Sequence, residues 1–283
     1  MYILALRSYG DYVILLNSIK HAGINKKMRL LVSDHLRPLH ESLNSQYPNN
    51  FEFNFIDFGI KRGLLSFFTN RYFFSFNSIQ EVVKIFKNIE QLKIKDQIIY
   101  LEHKARKNIL SFFLRSKINH IYSKGNIYEA FAQFFDIDAA TITFTLPEII
   151  SIRKVLIFPD SRKRDKIIDH KTMHLLTSEL INQNIDFKIA NFNHSISNEI
   201  DFNKQVTYKN FNDLVLYINE CDLVISSDSV PAHIAEFLGK PHVILYNEKV
   251  NYNWLTPFAK KYKMYSTFEE ATHFLNQYLG NKW

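Results

Sequence analysis

Residues 221–241 combine an apolar run, a short hydroxyl- and carboxylate-bearing loop and a proline-led helical stretch, an order suited to holding a phosphate. Leu223-Val224-Ile225 reads as a buried strand within Asp222–Ser226, and Ser227-Asp228-Ser229 as the loop at its carboxyl end. Pro231 fits the first turn of a following helix, where its missing N–H is no loss. Gly239 fits the C-cap, and Pro241 stops the helix before the next strand, His242–Tyr246. Such a join points backbone N–H groups and the positive helix end at the carboxyl edge of a sheet, where an anion is stabilised. Ser229 adds a hydroxyl donor, and His233, one turn in, a ring N–H. An ordinary core helix capped by Asp228 or Ser229, with His233 buried, has the same local pattern.

The elements that must carry this loop alternate in type along the chain. In the first half, strands are expected at Tyr2–Leu6, Leu30–Val32, Phe51–Phe58 and Gln97–Leu101. Helices are expected from Asp11 to Gly23, with Val13, Ile14, Leu16 and Ile19 on the apolar side, and over Ile79–Ile89. Gly59–Phe76 is aromatic and irregular, and reads as a loop or a poorly marked helix. After the turn-like Thr145-Leu146-Pro147 the rhythm restarts with a strand at Val155–Phe158. A helix over Lys171–Asn182, a strand at Phe187–Ala190, a helix over Phe211–Asn219 and the 221–246 unit follow. A last helix spans Thr267–Leu279, with Phe268, Ala271, Phe274, Leu275 and Tyr278 on one stripe. Strand–helix alternation implies parallel sheets covered on both faces. Two domains are expected, 1–148 and 149–283, with the boundary near Phe144–Ile152.

The bulk composition agrees with two packed domains and excludes several classes. The chain has 283 residues, 46% hydrophobic, with only 7 Gly and 7 Pro, unlike a disordered chain. Its single cysteine, Cys221, rules out an intrachain disulfide and a cysteine metal cage. The net charge of +7 suits a phosphate-bearing ligand, a nucleic acid or an anionic membrane. The basic clusters Lys61-Arg62, Lys104-Ala105-Arg106-Lys107 and Arg162-Lys163-Arg164 are too short for a nucleic-acid tether. Met1–Arg7 runs straight into a strand, with no signal-peptide pattern. No stretch of about 18 uncharged apolar residues is present to span a bilayer. A cytoplasmic protein is expected.

The 221–241 string resembles the signature of glycosyltransferase family 9, the bacterial heptosyltransferases, D-L-V-I-x-x-D-S/T-G-x-x-H-x-A followed by G-K-P. The resemblance is dense near residues 1–20 and 221–258 and thin elsewhere. It implies two Rossmann-like domains facing across a cleft (the GT-B type), the second binding a nucleotide sugar and the first an acceptor. It places the donor diphosphate on Asp228, Ser229, the Val230 N–H, Ala232 and His233. Val230 stands where the family usually has glycine, and valine allows neither a positive φ nor the closest backbone approach. Trp254-Leu255-Thr256-Pro257 resembles the family's segment after the next strand, with Asn247 where glycine is common.

Two further residues acquire roles from the same resemblance. Gly10-Asp11, after the first strand, resembles the family's G-D, whose aspartate is the proposed base for the acceptor hydroxyl. An alcohol's high pKa asks for proton removal concerted with attack, and a helix N-terminus keeps Asp11 ionised. A plain N-cap aspartate is the alternative. Lys166 is the positional match to a lysine that approaches the donor phosphates, with Arg162, Lys163 and Arg164 as competitors. A cation there offsets charge on the leaving diphosphate and makes a metal unnecessary. Ile167-Ile168 replaces the family's Trp-Pro.

No G-x-G-x-x-G opens the first helix, and no Walker loop, H-E-x-x-H or G-x-S-x-G is present. The 11 histidines show no ligand spacing. The aromatic run Arg71-Tyr72-Phe73-Phe74 reads as core or as a sugar or lipid contact. The resemblance implies an inverting, metal-independent transferase without a cofactor. It would move a sugar, with ADP-heptose the suggested donor, to a glycolipid or oligosaccharide of the bacterial surface, such as lipopolysaccharide core. Peripheral contact with the inner membrane is expected, and nucleic acid is not. A non-catalytic nucleotide-sugar binder or partner subunit, and an epimerase or hydrolase on the same fold, are the alternatives.

Overall fold

The computed structural model describes residues 2–5, 8–22, 27–43, 47–57, 83, 87–88, 90–91, 98–100, 118–120, 125–142, 144–145, 151–161, 164–192 and 204–279. Expectations for Gly59–Phe76, Lys61-Arg62, Lys104–Lys107, Leu146-Pro147, Arg162 and Lys163, and most of Ile79–Ile89, fall outside these residues. The chain divides into two compact units, Met1–Ile137 and Asp138–Trp283.

The first unit runs β1 (Tyr2–Ala5), α1 (Tyr9–Lys20), β2 (Met28–Ser33), α2 (Arg37–Leu43), β3 (Phe51–Ile56), β4 (Ile98–Tyr100), β5 (Ile118–His120) and α3 (Ile127–Phe134). Its strands form one parallel sheet in the order β3-β2-β1-β4-β5. Helix α1 buries Tyr12, Val13, Ile14, Leu15, Leu16 and Ile19, more than the one stripe read from the sequence. Packed on α3 and buried on nearly every side, the helix has little face left for water. Strand β3, at the sheet's edge, buries only Phe51 fully, and its other residues are half-buried.

The second unit runs β6 (Lys154–Phe158), α4 (His170–Asn182), β7 (Asp186–Phe192), β8 (Gln205–Tyr208), α5 (Phe211–Glu220), β9 (Leu223–Ser227), α6 (Val230–Leu238), β10 (His242–Tyr246), α7 (Pro257–Tyr262), β11 (Tyr265–Thr267) and α8 (Ala271–Leu279). The sheet is again parallel, in the order β11-β10-β9-β6-β7-β8. Counted within each unit, both sheets follow the Rossmann sequence 3-2-1-4-5, extended by a sixth strand in the second. The core, including Val155, Ile157, Leu176, Leu180, Ile225 and Ile244, is built from residues on strands and their covering helices. Each such side chain contributes about 1.5–3 kcal/mol relative to exposure.

Helix starts are fixed by short polar side chains. Asp169 accepts from Thr172 N at 2.8 Å and Asn210 from Asp213 N at 2.9 Å, opening α4 and α5. Asp222, expected as a strand residue, lies just before β9. Its carboxylate accepts from the N–H groups of both Arg153 and Lys154 at 2.9 Å, which ties the entry of β9 to that of β6.

Three differences from the sequence reading have packing causes. The expected helix at Thr267–Leu279 begins at Ala271, because Tyr265–Thr267 is drawn into the sheet beside Ile244–Tyr246 as β11. Strand β8 and helix α7 carry weak local patterns: every residue of β8 is only half-buried, and α7 has six residues. The units divide at Ile137/Asp138, ahead of the expected Phe144–Ile152. Ile142 is buried, and Phe144 packs on the second core, stacking on Phe258 at 4.6 Å between centroids. No helix among the described residues is long and apolar enough to cross a membrane.

Candidate functional site

In the second sheet the strand order reverses between β6 and β9, which pair directly through Phe158 and Ser226. Open α/β sheets bind ligands outside the carboxyl ends of the strands at such a point. The loops leaving these two ends carry Lys166 and Asp228, 62 residues apart in sequence. Lys166 ends a 3-10 turn, Arg164–Lys166, that closes when Ile168 N donates to Pro159 O at 3.0 Å and the Ile168 side chain enters the core. Ile168 thus anchors the loop from within. Lys166 Nζ donates to Asp228 Oδ2 at 2.5 Å and to the Asp228 carbonyl at 3.0 Å. The Asp228 side chain is 5% exposed and that of Lys166 27%.

Helix α6 starts at this pair. Ser229 is its N-cap in extended conformation, but its hydroxyl donates to Ser227 O at 3.2 Å and makes no capping bond. The first turn holds Val230, Pro231 and Ala232 and no acidic residue. The N-terminal amides are therefore left without a side-chain cap from Ser229, which suits an anion arriving from outside. Val230 lies in the helix and is absent from the positive-φ residues, so the backbone here makes no demand for glycine. Gly239, by contrast, has φ +69° as the C-cap, while Gly239 N reaches Glu236 O at 3.1 Å and Lys240 N reaches Ala235 O at 2.8 Å.

His233 is buried in the same helix, beneath the loop. Burial holds its imidazole down to about 4, partly opposed by the Asp228 carboxylate and reinforced by Lys166. It is neutral at pH 7, able to hydrogen-bond but adding no charge. Lys240, of the G-K-P run, has a structural position. Its ammonium donates to Asn219 O at 2.6 Å and Cys221 O at 3.2 Å, at the carboxyl end of α5.

Sequence reasoning missed the polar cluster behind α6. Glu236 and His242 are fully buried, and Phe258 N donates to Glu236 Oε2 at 3.0 Å. His242 Nδ1 donates to Lys240 O at 2.8 Å, so its Nε2 accepts from the Thr256 hydroxyl at 2.7 Å. Burial pushes the Glu236 carboxyl up to about 8, opposed by the hydrogen bond from Phe258 N. Burial likewise drives His242 down to about 3, against its bond to the Lys240 carbonyl. The cluster docks Thr256-Pro257, the start of α7, onto α6. A glutamate placed between the apolar Ala235 and Phe237 was its one sequence signal. Tyr246, at the end of β10, also belongs near the site: burial raises its phenol, and the Asp228 carboxylate raises it further.

In the first unit Asp11 is the third residue of α1, half-buried in the first turn, after an extended Ser8 N-cap whose side chain makes no capping bond. Strand β1, which leads into it, pairs with both β2 and β4, the point of reversal in that sheet. Tyr9, the first residue of α1, and His35, in the 3-10 turn after β2, meet edge to face at 5.7 Å. The structure thus gathers Lys166, Asp228, Ser229, Val230, Ala232 and His233 at one sheet edge, and sets Asp11 at the corresponding edge of the other sheet. Among the described residues no cluster of three or more His, Cys, Asp or Glu is placed to hold a metal ion.

Comparison with known proteins agrees with this architecture. A search of curated proteins by sequence finds no match. Among solved structures, E. coli heptosyltransferase WaaC with ADP superposes with TM-score 0.59 at 12% identity, covering 98% of this chain and 99% of that one. A family 9 glycosyl transferase from Veillonella parvula gives 0.61 at 14%, covering 100% and 90%. E. coli ADP-heptose lps heptosyltransferase II gives 0.59 at 13%, covering 99% and 98%. At these identities the likeness establishes the fold, two Rossmann-like units of the GT-B type. The model of glycosyltransferase family 9 (heptosyltransferase) matches residues 127–279, more than half of the chain and all of the α6 site. The chain belongs to glycosyltransferase family 9.

Proposed function

We propose that this glycosyltransferase moves a sugar, a heptose, from a nucleoside-diphosphate donor to a bacterial surface glycan such as lipopolysaccharide core, by inversion and without a metal. The observation that carries the reading is the Lys166–Asp228 pair at the reversal point of the second sheet, beside the N-terminus of α6, which has no side-chain cap from Ser229. The second unit binds the donor, its diphosphate held by Ser229 and by the Val230 and Ala232 amides, with the neutral His233 as a hydrogen-bonding partner. The first unit binds the acceptor.

The chemistry is a single displacement. The acceptor oxygen forms a bond to the anomeric carbon on the face opposite the diphosphate. The bond from that carbon to the phosphate oxygen breaks, and the hydroxyl proton passes to the Asp11 carboxylate. Negative charge collects on the leaving diphosphate, where the α6 N-terminus and the Lys166 ammonium stabilise it in place of a metal. ADP-heptose is the favoured donor because two of the structures sharing the fold are a heptosyltransferase bound to ADP and an ADP-heptose heptosyltransferase. The net charge of +7 favours approach to an anionic lipid surface at the cytoplasmic face of the inner membrane.

Thermal melts with a panel of nucleotide sugars test the donor assignment. A donor at a hundredfold excess over its Kd stabilises the fold by about 2.7 kcal/mol, and ADP-heptose is expected to give the largest rise in Tm. Transfer of the bound sugar to a glycolipid acceptor then identifies the reaction. A panel without any stabilising nucleotide sugar removes the reading; donor binding without turnover leaves a binding protein.

A further inference from the structure

The Lys166–Asp228 pair raises a question of sign. A carboxylate beside a diphosphate repels it, and the repulsion grows where water is excluded. Asp228 is nevertheless buried at the mouth of the anion site, with its charge directed at Lys166. An ammonium has three N–H donors. Here two are committed, one to Asp228 Oδ2 and one to the Asp228 carbonyl, so a single donor is left for a ligand. Lysine's four-carbon stem is otherwise free to swing, and fixing it in advance removes an ordering cost from the reaction.

We infer that Asp228 is a positioning residue. It makes no contact of its own with the donor, but clamps the Lys166 ammonium from two sides so that its remaining N–H meets a diphosphate oxygen. This rests on the donor-site assignment above and reassigns Asp228 within it, from diphosphate ligand to holder of the ligand's cation. The surrounding groups agree. His233, buried on the same helix, is neutral at pH 7 and brings no second positive charge to the carboxylate. The arrangement also explains why the loop residue is an acid although the ligand is an anion.

The test is calorimetric titration with ADP, the product nucleotide of the proposed donor, at fixed ionic strength on the parent, Asp228→Asn, Lys166→Ala and the double variant. Asp228→Asn keeps the shape and removes the charge. It is expected to weaken ADP by about tenfold, the scale of one charge-assisted hydrogen bond, and to have no weakening effect once Lys166 is alanine. Equal or tighter binding by Asp228→Asn in the parent background overturns the inference, because it marks Asp228 as a repelling charge only. An equal loss in both backgrounds also overturns it, because it marks a direct ligand. Asp228→Glu keeps the charge but moves it by one methylene, and provides the second arm if Asp228→Asn does not fold. Positioning predicts weaker binding there too, and parent affinity contradicts it. Lys166→Ala with parent affinity removes the donor-site role of Lys166 itself, a failure distinct from the others.

Discussion

The two helices that leave the reversal points of the two sheets, α1 and α6, start alike and end in different chemistry. Each follows a parallel strand, each has a serine N-cap in extended conformation, and neither serine side chain makes a capping bond. In α1 the protein supplies its own anion to the positive helix end, Asp11 in the first turn. In α6 the first turn holds no acid, proline removes one N–H, and the neighbouring loop brings a lysine instead. One helix end holds a carboxylate of the protein's own, and in the proposed reading the other receives its charge from a ligand. The difference lies in a few side chains on a repeated backbone plan, and in the mechanism proposed above it divides into a base and a leaving-group site.

The largest test of that division is Asp11→Asn. Loss of a general base costs about 10²–10⁴ in rate, so kcat for sugar transfer should fall by about a thousandfold while ADP binds with parent affinity. If ADP binding falls as well, α1 is not the acceptor-side end and the contrast collapses. Lys166→Ala should act differently, lowering kcat by about a hundredfold or more and weakening ADP. It also leaves the buried Asp228 carboxylate without its partner, at a cost of about 1–3 kcal/mol in chemical denaturation. A variant that lost rate but neither affinity nor stability would place the lysine elsewhere.

Smaller effects separate what α6 needs for its shape from what it needs for its ligand. Gly239→Ala forces an L-residue into φ +69°, costing about 1–2 kcal/mol. The added Cβ itself would meet Phe144 at an ordinary 3.9 Å, so the loss should appear as backbone strain in Tm and not in ADP affinity.

The subtlest test is pH. His233 and His242 have folded pKa values lowered to about 4 and about 3 from 6.5, so they favour the fold above 6.5 and withdraw that support as pH falls. Glu236 is raised from 4.5 to about 8, so its contribution is complete below 4.5 and is lost as pH rises to about 8. Between 6.5 and 8 only the glutamate limb among these three operates. Stability should therefore fall across that window, and Glu236→Gln should flatten Tm against pH there without moving the acid limb. An unchanged alkaline slope in that variant would show that the cluster is not the titrating group.

Much of α6 was legible because its signals are local. Pro231 in the first turn, Gly239 at the cap and Pro241 beyond it each reflect a backbone constraint acting over a few residues. Helix α5 was read to within one residue for the same kind of reason, and β10 matched its apolar run end to end. Strands β8 and β11 were not legible. Their residues are half-buried or few, and they are strands because a neighbour offers a free edge. The Val230 question is resolved in its backbone part, since the residue is helical. The pattern flagged the substitution but not the conformation it must adopt.

By itself the sequence determined the alternation of strands and helices, the anatomy of the α6 turn and the family, because propensity, capping and hydrophobic period are carried by neighbouring residues. Only the tertiary structure decided that β6 and β9 lie side by side, and hence that Lys166 meets Asp228 across 62 residues. It alone placed Glu236, His242 and Thr256 in one buried cluster. Those contacts depend on strand order and on which groups lose their water, quantities that exist only once the sheet has assembled.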